Sequence, residues 1–232
     1  MVETQFLSEF LSSEEVESVL DQISSLNRPC QEQWQNHPQI NQFIGLGGQP
    51  TPVMLEKYPP YLVSKTQTLT EVFETSFGWI FDRVQALFDY EIGVDHASFQ
   101  HMTHPWGIHS DNWFTGNDTT RRHDATCVLS LSPATHAKTV VFDQTSIPGS
   151  HNFDTKHMIL VNNPIPLEEW HQELESMANS SWREYLSVDE HQPGIQSLGS
   201  LTVFDRSRWH SANNWHRYED EKKIIDILTY RK

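Results

Sequence analysis

The stretch His101-Met102-Thr103-His104-Pro105-Trp106-Gly107-Ile108-His109-Ser110-Asp111-Asn112 decides how the chain is read. It closes an apolar and β-branched run, His96–Thr103, breaks at Pro105 and Gly107, and resumes with His109-x-Asp111. In a strand, residues i and i+2 share a face, so an imidazole and a carboxylate at that spacing can bind one metal ion side by side. Outward from this point come further short runs: Ala125–Ser132, Lys138–Asp143, His157–Val161, Ser200–Phe204 and Lys223–Tyr230. Turn formers such as Gly116, Asn117, Pro133, Gly149 and Gly199 separate them. Many short strands with turn signals between them indicate a β-barrel or double-sheet jelly roll. Residues 167–188 read as a helical insertion between strands.

The N-terminal part has a helical period. Ser12 with Glu15 forms a capping-box pattern, and Val16, Val19, Leu20, Ile23 and Leu26 follow at helical spacing. Residues 28–62 are rich in Pro and Gly and read as irregular connection. A second helix is expected from about Thr66 to Phe88, where Leu69, Val72, Phe73, Phe77, Ile80 and Val84 make an apolar stripe. The expected fold class is therefore mainly β. A double-stranded β-helix core of the jelly-roll, cupin-like kind (about 91–232) is braced by N-terminal helices (about 1–90) in one domain, 1–232.

Composition narrows the function. Acids number 31 against 16 bases, a formal charge of −15, and a phosphate-binding surface needs clustered Lys and Arg instead. Nucleic acid and anionic membrane surfaces are thus poor partners. The two cysteines, Cys30 and Cys127, exclude a disulfide scaffold and a four-cysteine zinc site. No basic leader and no bilayer-length apolar run are visible, so a reduced, cytoplasmic protein is expected. Thirteen histidines direct attention to metal sites.

The segment Gly199-Ser200-Leu201-Thr202-Val203-Phe204-Asp205, followed by Trp209-His210, reads as turn, strand and a histidine at the far end. Two histidines and one carboxylate on one face of an octahedron leave three positions open, the arrangement of non-haem Fe(II) oxygenases. The last strand begins Lys222-Lys223, and a cation buried at a barrel mouth needs an anionic partner. Other residues have plainer readings. His101, His104, His151, His157, His171, His191 and His216 read as structural or surface residues. Trp106 and Trp113 either line a pocket or cap the barrel; Asn112 either orients a ligand or makes a turn. Arg121 and Arg122 read as solvated, while Arg206 and Arg208 stand near the expected mouth.

Taken in order, these segments resemble the 2-oxoglutarate/Fe(II)-dependent dioxygenases, and among them the prolyl-hydroxylase-like branch. Phe6–Glu15 is similar to that family's opening helix, His109-x-Asp111 and Arg122–Ser132 to its H-x-D strand and the strand after, and Gly199–Asp205 with His210 to its distal-histidine segment. The resemblance implies that His109, Asp111 and His210 hold Fe(II), and that 2-oxoglutarate and O2 occupy the open positions. It further implies oxidative decarboxylation of 2-oxoglutarate to succinate, coupled to hydroxylation of an amino-acid-like, peptidyl or small-metabolite substrate. The C5 carboxylate of 2-oxoglutarate then needs a cation, for which Lys222, Lys223 and Arg217 are the candidates. Alternation favours Lys223: if Lys222 faced inward it would bring Asp226 with it, a second buried charge. Ser130 is the hydroxyl expected to assist. The competing readings are a cupin-like metal enzyme that does not use 2-oxoglutarate, and a non-catalytic ligand-binding jelly roll. Neither needs the cation.

Overall fold

The computed structural model describes residues 2–104, 109–112, 122–133, 137–146, 193–212 and 221–232. Several expectations fall outside them: the helical insertion at 167–188, the strand at 157–161, Trp106, Trp113, Arg121, Arg217, and His151, His157, His171, His191 and His216.

Nine strands and five helices form the described chain: β1 Gln5–Leu7, α1 Ser13–Ser25, β2 Gln31–Gln35, α2 Pro38–Gly45, α3 Pro52–Lys57, β3 Tyr61–Thr68, α4 Thr70–Ser76, α5 Gly78–Gln85, β4 Ile92–Met102, β5 Arg122–Ser130, β6 Thr139–Thr145, β7 Leu201–Asp205, β8 Arg208–Ala212 and β9 Lys222–Arg231. Seven strands make one antiparallel sheet in the order β1-β7-β5-β9-β4-β3-β2, and β6 pairs with β8 in a second, smaller one. This is the jelly-roll architecture read from the strand and turn pattern. No helix among the described residues is long and apolar enough to cross a membrane.

Alternation along the central strands sorts the two faces of the large sheet. Ile225 and Ile227 of β9, with Cys127 and Leu129 of β5, pack against Val16, Val19 and Ile23 of α1 and against Phe73, Phe77, Ile80 and Val84 of α4 and α5. Residues of the opposite parity, including Val128 and Ile224, meet Met102, Val141 and Phe204 on the inner side. Helix α1 starts where the capping box places it. The Ser12 hydroxyl accepts from the Glu15 N–H at 3.2 Å, and the Glu15 carboxylate accepts from the Ser12 N–H at 2.9 Å. Ahead of β7 the chain turns at Gly199, whose φ is +74° and where a Cβ would strike the Leu11 carbonyl oxygen.

Three expectations are corrected. The helix expected over Thr66–Phe88 is a strand end followed by two short helices. Ser64, Thr66 and Thr68 alternate inward and pair with Met102, Gln100 and Ser98, so period two wins up to Thr68. Its apolar stripe does reach the core, as Leu69, Phe73, Phe77, Ile80 and Val84 are fully buried. Residues 28–62 hold β2, α2, α3 and the start of β3 rather than irregular connection, because β2 adds to the sheet through main-chain bonds that its polar sequence does not signal. Finally, Phe6 lies in β1, paired with Thr202, and the opening helix begins only at Ser13.

Candidate metal centre

His109 and His210 are brought together by main-chain pairing. The His109 N–H donates to the His210 carbonyl at 2.9 Å, and the His210 N–H returns a bond to the His109 carbonyl at 2.8 Å. Their rings lie 4.2 Å apart between centroids. Asp111, two residues on, places Oδ2 at 3.3 Å from His210 Nε2 and Oδ1 at 3.9 Å from His109 Nε2. One ligand atom from each of the three lies within 4.8 Å of the others, and no other such cluster of His, Cys, Asp and Glu occurs among the described residues.

Two of the three candidate ligands, His210 and Asp111, are oriented from behind. His210 Nδ1 stands 3.1 Å from the Arg208 carbonyl; a proton on that nitrogen donates to the oxygen and leaves the Nε2 lone pair facing Asp111. The Thr126 hydroxyl donates to Asp111 Oδ2 at 2.7 Å. Arg206 is fully buried and donates through Nε to the Asp111 carbonyl at 2.7 Å while pairing with Asp95 at 2.7 Å. It also donates to the Thr229 carbonyl at 3.3 Å. Arg206 is thus a buried brace beneath the site, not a residue at the mouth. Arg208 reaches back to Thr4 at 3.2 Å. Asn112 bonds Ser146 and His123 and so braces the loop rather than the ligand carboxylate.

The electrostatics suit metal binding. Burial, reinforced by neighbouring His109, lowers His210 to about 4 against the opposing pull of Asp111 and the Arg208 carbonyl, so its imidazole is neutral near pH 7. Burial works to raise Asp111, but His210, His109, the Thr126 hydroxyl and Arg206 outweigh it and hold the carboxyl below its ordinary range. A neutral imidazole and an ionised carboxylate are the forms that ligate. His109 keeps 30% of its side chain exposed, against 9% for Asp111 and 7% for His210, so the centre opens on the His109 side.

The three residues line a cavity of about 470 Å³, within the range of small-molecule sites. Its far wall comes from β2, β3, β4 and β9, and the cation in it is Lys222. Lys222 is buried and bonds through Nζ to the side-chain oxygen of Gln196, itself fully buried. The alternation expectation is therefore corrected: Lys222 faces inward, and Asp226 does come with it. Lys223 turns away, a third exposed, to Glu221 at 3.6 Å. Gln196 supports the lysine, and Asp226, two inward positions further along β9, is raised well above the ordinary carboxyl range by burial and by Asp111, which favours its protonated form over a second internal charge. Ser130 is fully buried, and its hydroxyl is within bonding distance of the Gln196 carbonyl at 3.2 Å and the Ser132 carbonyl at 3.3 Å, so it reaches the lysine only through the Gln196 residue. His101 pairs with Glu221 and His104 with the Leu62 carbonyl, both away from the triad.

The sequence reading assigns Gln196 and Thr126 no part in the centre and places Arg206 near its mouth. Thr126 carried a signal, since it shares the inward parity of Val128 on β5. Gln196 comes from an irregular stretch and Arg206 pairs with a distant acid, so neither is marked locally.

No family model matches the sequence, and no curated protein matches it. Solved structures do match in three dimensions. The α-ketoglutarate-dependent non-haem epimerase SnoN from nogalamycin biosynthesis is 11% identical, with a TM-score of 0.55 over 98% of this chain and 78% of its own. A 2OG-Fe(II) oxygenase family oxidoreductase from Burkholderia pseudomallei is 9% identical, with a TM-score of 0.50 over 99% and 84%. HygX from Streptomyces hygroscopicus, solved with nickel and 2-oxoglutarate, is 12% identical, with a TM-score of 0.50 over 99% and 83%. The likeness establishes the fold. At these identities the chemistry rests on the residues of this chain.

Proposed function

We propose that the protein is a non-haem Fe(II) oxygenase that couples oxidative decarboxylation of 2-oxoglutarate to succinate with hydroxylation of a small molecule. The observation that carries this reading is the union, in one cavity, of the His109–Asp111–His210 cluster and an inward, buried lysine. The donor set fits Fe(II): two imidazole nitrogens and one carboxylate oxygen, with His210 and Asp111 each oriented by a further bond, and an open side. Bound iron supplies the activation of O2. The chain's own residues do the rest. Lys222 binds the C5 carboxylate of 2-oxoglutarate as a point charge, Gln196 holds the ammonium in place, and Ser130 fixes Gln196. His210, His109 and the Thr126 hydroxyl hold Asp111 in its ionised form.

The structural neighbours support the same reading. SnoN has been solved in complex with Fe3+, α-ketoglutarate and nogalamycin RO, and the HygX structure holds nickel and 2-oxoglutarate. A cavity of this size accommodates a free small molecule, and the resemblance to the prolyl-hydroxylase-like branch keeps a peptidyl substrate as the alternative. The presence of Asp111 favours hydroxylation, since halogenating relatives lack that carboxylate. The retained alternatives are a cupin-like enzyme without 2-oxoglutarate and a non-catalytic jelly roll.

The test is anaerobic loading with Fe(II), metal analysis and titration of 2-oxoglutarate, followed by assay of succinate release in air. One iron per chain, saturable 2-oxoglutarate binding and succinate formation are expected. Absence of stoichiometric iron points to the non-catalytic jelly roll. Iron without 2-oxoglutarate binding points to the cupin-like enzyme.

A further inference from the structure

The cavity wall contains a second acid that the scheme above leaves unused. Asp226 of β9 lies opposite Ser98 of β4 and Val128 of β5, one inward position beyond Ile224. Its Oδ1 is buried and has no hydrogen-bond partner among the described residues. A buried carboxyl oxygen without a partner is costly, and removing it would be easy, since Ile or Val fits a strand at that position. The three ligand places belong to His109, Asp111 and His210, and Lys222 is held by Gln196. Neither therefore answers Asp226.

The wall around it mixes apolar Met102, Val128 and Ile224 with His96, whose imidazole is kept in its neutral form by burial, and with uncharged polar side chains. Thr66, Thr68, Ser98 and Gln100 face inward from β3 and β4, with Gln31 and Gln33 beyond them on β2. An apolar substrate would strip water from these amides and hydroxyls without replacing their bonds. A substrate with a carboxylate at this end would meet both Asp226 and Asp111. A molecule with a cationic nitrogen beside hydroxyl or amide groups satisfies the acid and the wall together.

We propose that Asp226 is the specificity residue of the site and that the substrate is a polar small molecule carrying a cationic nitrogen, an amine or a guanidine, seated against Asp226. The inference rests on the oxygenase reading and adds the substrate class to it. Lys222 at the start of β9 takes the anionic cosubstrate, and Asp226 at its middle gives up its proton as it takes the cationic substrate, so one strand sorts the two ligands by charge.

The test uses the full chain loaded with zinc, a redox-inert stand-in, in the presence of 2-oxoglutarate. Binding of amino alcohols, amino sugars, diamines and guanidines is measured by ligand-observed NMR. Each is paired with its N-acylated neutral form, and sugar acids of the same size complete the set. Binding is expected for cationic members over their neutral partners, weakened about tenfold or more in Asp226→Asn and regained at least in part in Asp226→Glu. Preference for neutral or acidic members, no binding by any cationic member, or equal affinity in a folded Asp226→Asn overturns it. If Asp226→Asn does not fold, the charge preference of the unaltered protein decides. Binding of 2-oxoglutarate is followed in the same samples. Its absence defeats the oxygenase reading, whereas its presence without a charge preference defeats only the substrate class.

Discussion

His109 and His210 exchange two backbone hydrogen bonds, 2.9 and 2.8 Å, at the same point where their rings meet. The main chain, rather than the side chains, therefore brings the ligand set together. Truncating a ligand removes a donor atom but leaves the pairing intact. His210→Ala is expected to fold cooperatively and to lose at least about 100-fold in Fe(II) or Zn(II) affinity in a chelator competition. A variant that keeps its metal would show that His210 is not a ligand.

Lys222 and Lys223 are adjacent in sequence and opposite in facing. Lys222→Ala is expected to raise the 2-oxoglutarate dissociation constant by about 10- to 100-fold, through loss of one charge-assisted bond of roughly 1.5–3 kcal/mol. Lys223→Ala, which removes only a partly exposed pairing with Glu221, is expected to change it less than about twofold. The reverse ranking, measured by titration, would restore the alternation argument.

The facing of Lys222 and Lys223 is not decided by local sequence. Period two on β9 is plain in the sequence, and it correctly ties Lys222 to Asp226. Which parity faces inward is decided by a partner, Gln196, in a stretch with no regular structure, so the cost of burying two charges was weighed without the group that offsets it. The three clustered side chains are legible as candidates because His109-x-Asp111 and Trp209-His210 carry their chemistry in short spacings. The boundary at Thr68 was not. Thr66, Thr68 and Thr70 suit a strand, the apolar stripe after them suits a helix, and only pairing with β4 divides the two.

Among the described residues Arg206 is the largest fully buried side chain, and its role depends on charge. It binds Asp95 and the Asp111 and Thr229 carbonyls. Arg206→Met leaves the Asp95 carboxylate buried without its cation, so a loss of roughly 3–5 kcal/mol in urea unfolding is expected. Because Arg206 also fixes the Asp111 main chain, metal affinity is expected to fall with it, by about tenfold. An Arg206→Met protein as stable as the parent would show that the ion pair is offset by its own desolvation.

His210 and Asp226 impose opposite pH dependences on the metal-free protein. His210 is lowered to about 4 by burial and His109, so as pH falls from about 6.5 toward 4 the unfolded chain takes a proton that the folded chain refuses. Stability is lost over that window, by about 3 kcal/mol at most from this group. Asp226 is raised well above its ordinary range by burial and by Asp111, against Arg206. Here the folded state keeps a proton that the unfolded state gives up, so its contribution is complete below about pH 4 and declines as pH rises toward the folded pKa. Asp226→Asn is neutral throughout and escapes that decline. The metal-free variant is therefore expected to match the parent near about pH 4 and to exceed it increasingly as pH rises above that, in thermal or urea unfolding. A stability difference that stays flat across this range would mean that the carboxyl of Asp226 ionises in the folded protein as readily as in the unfolded chain.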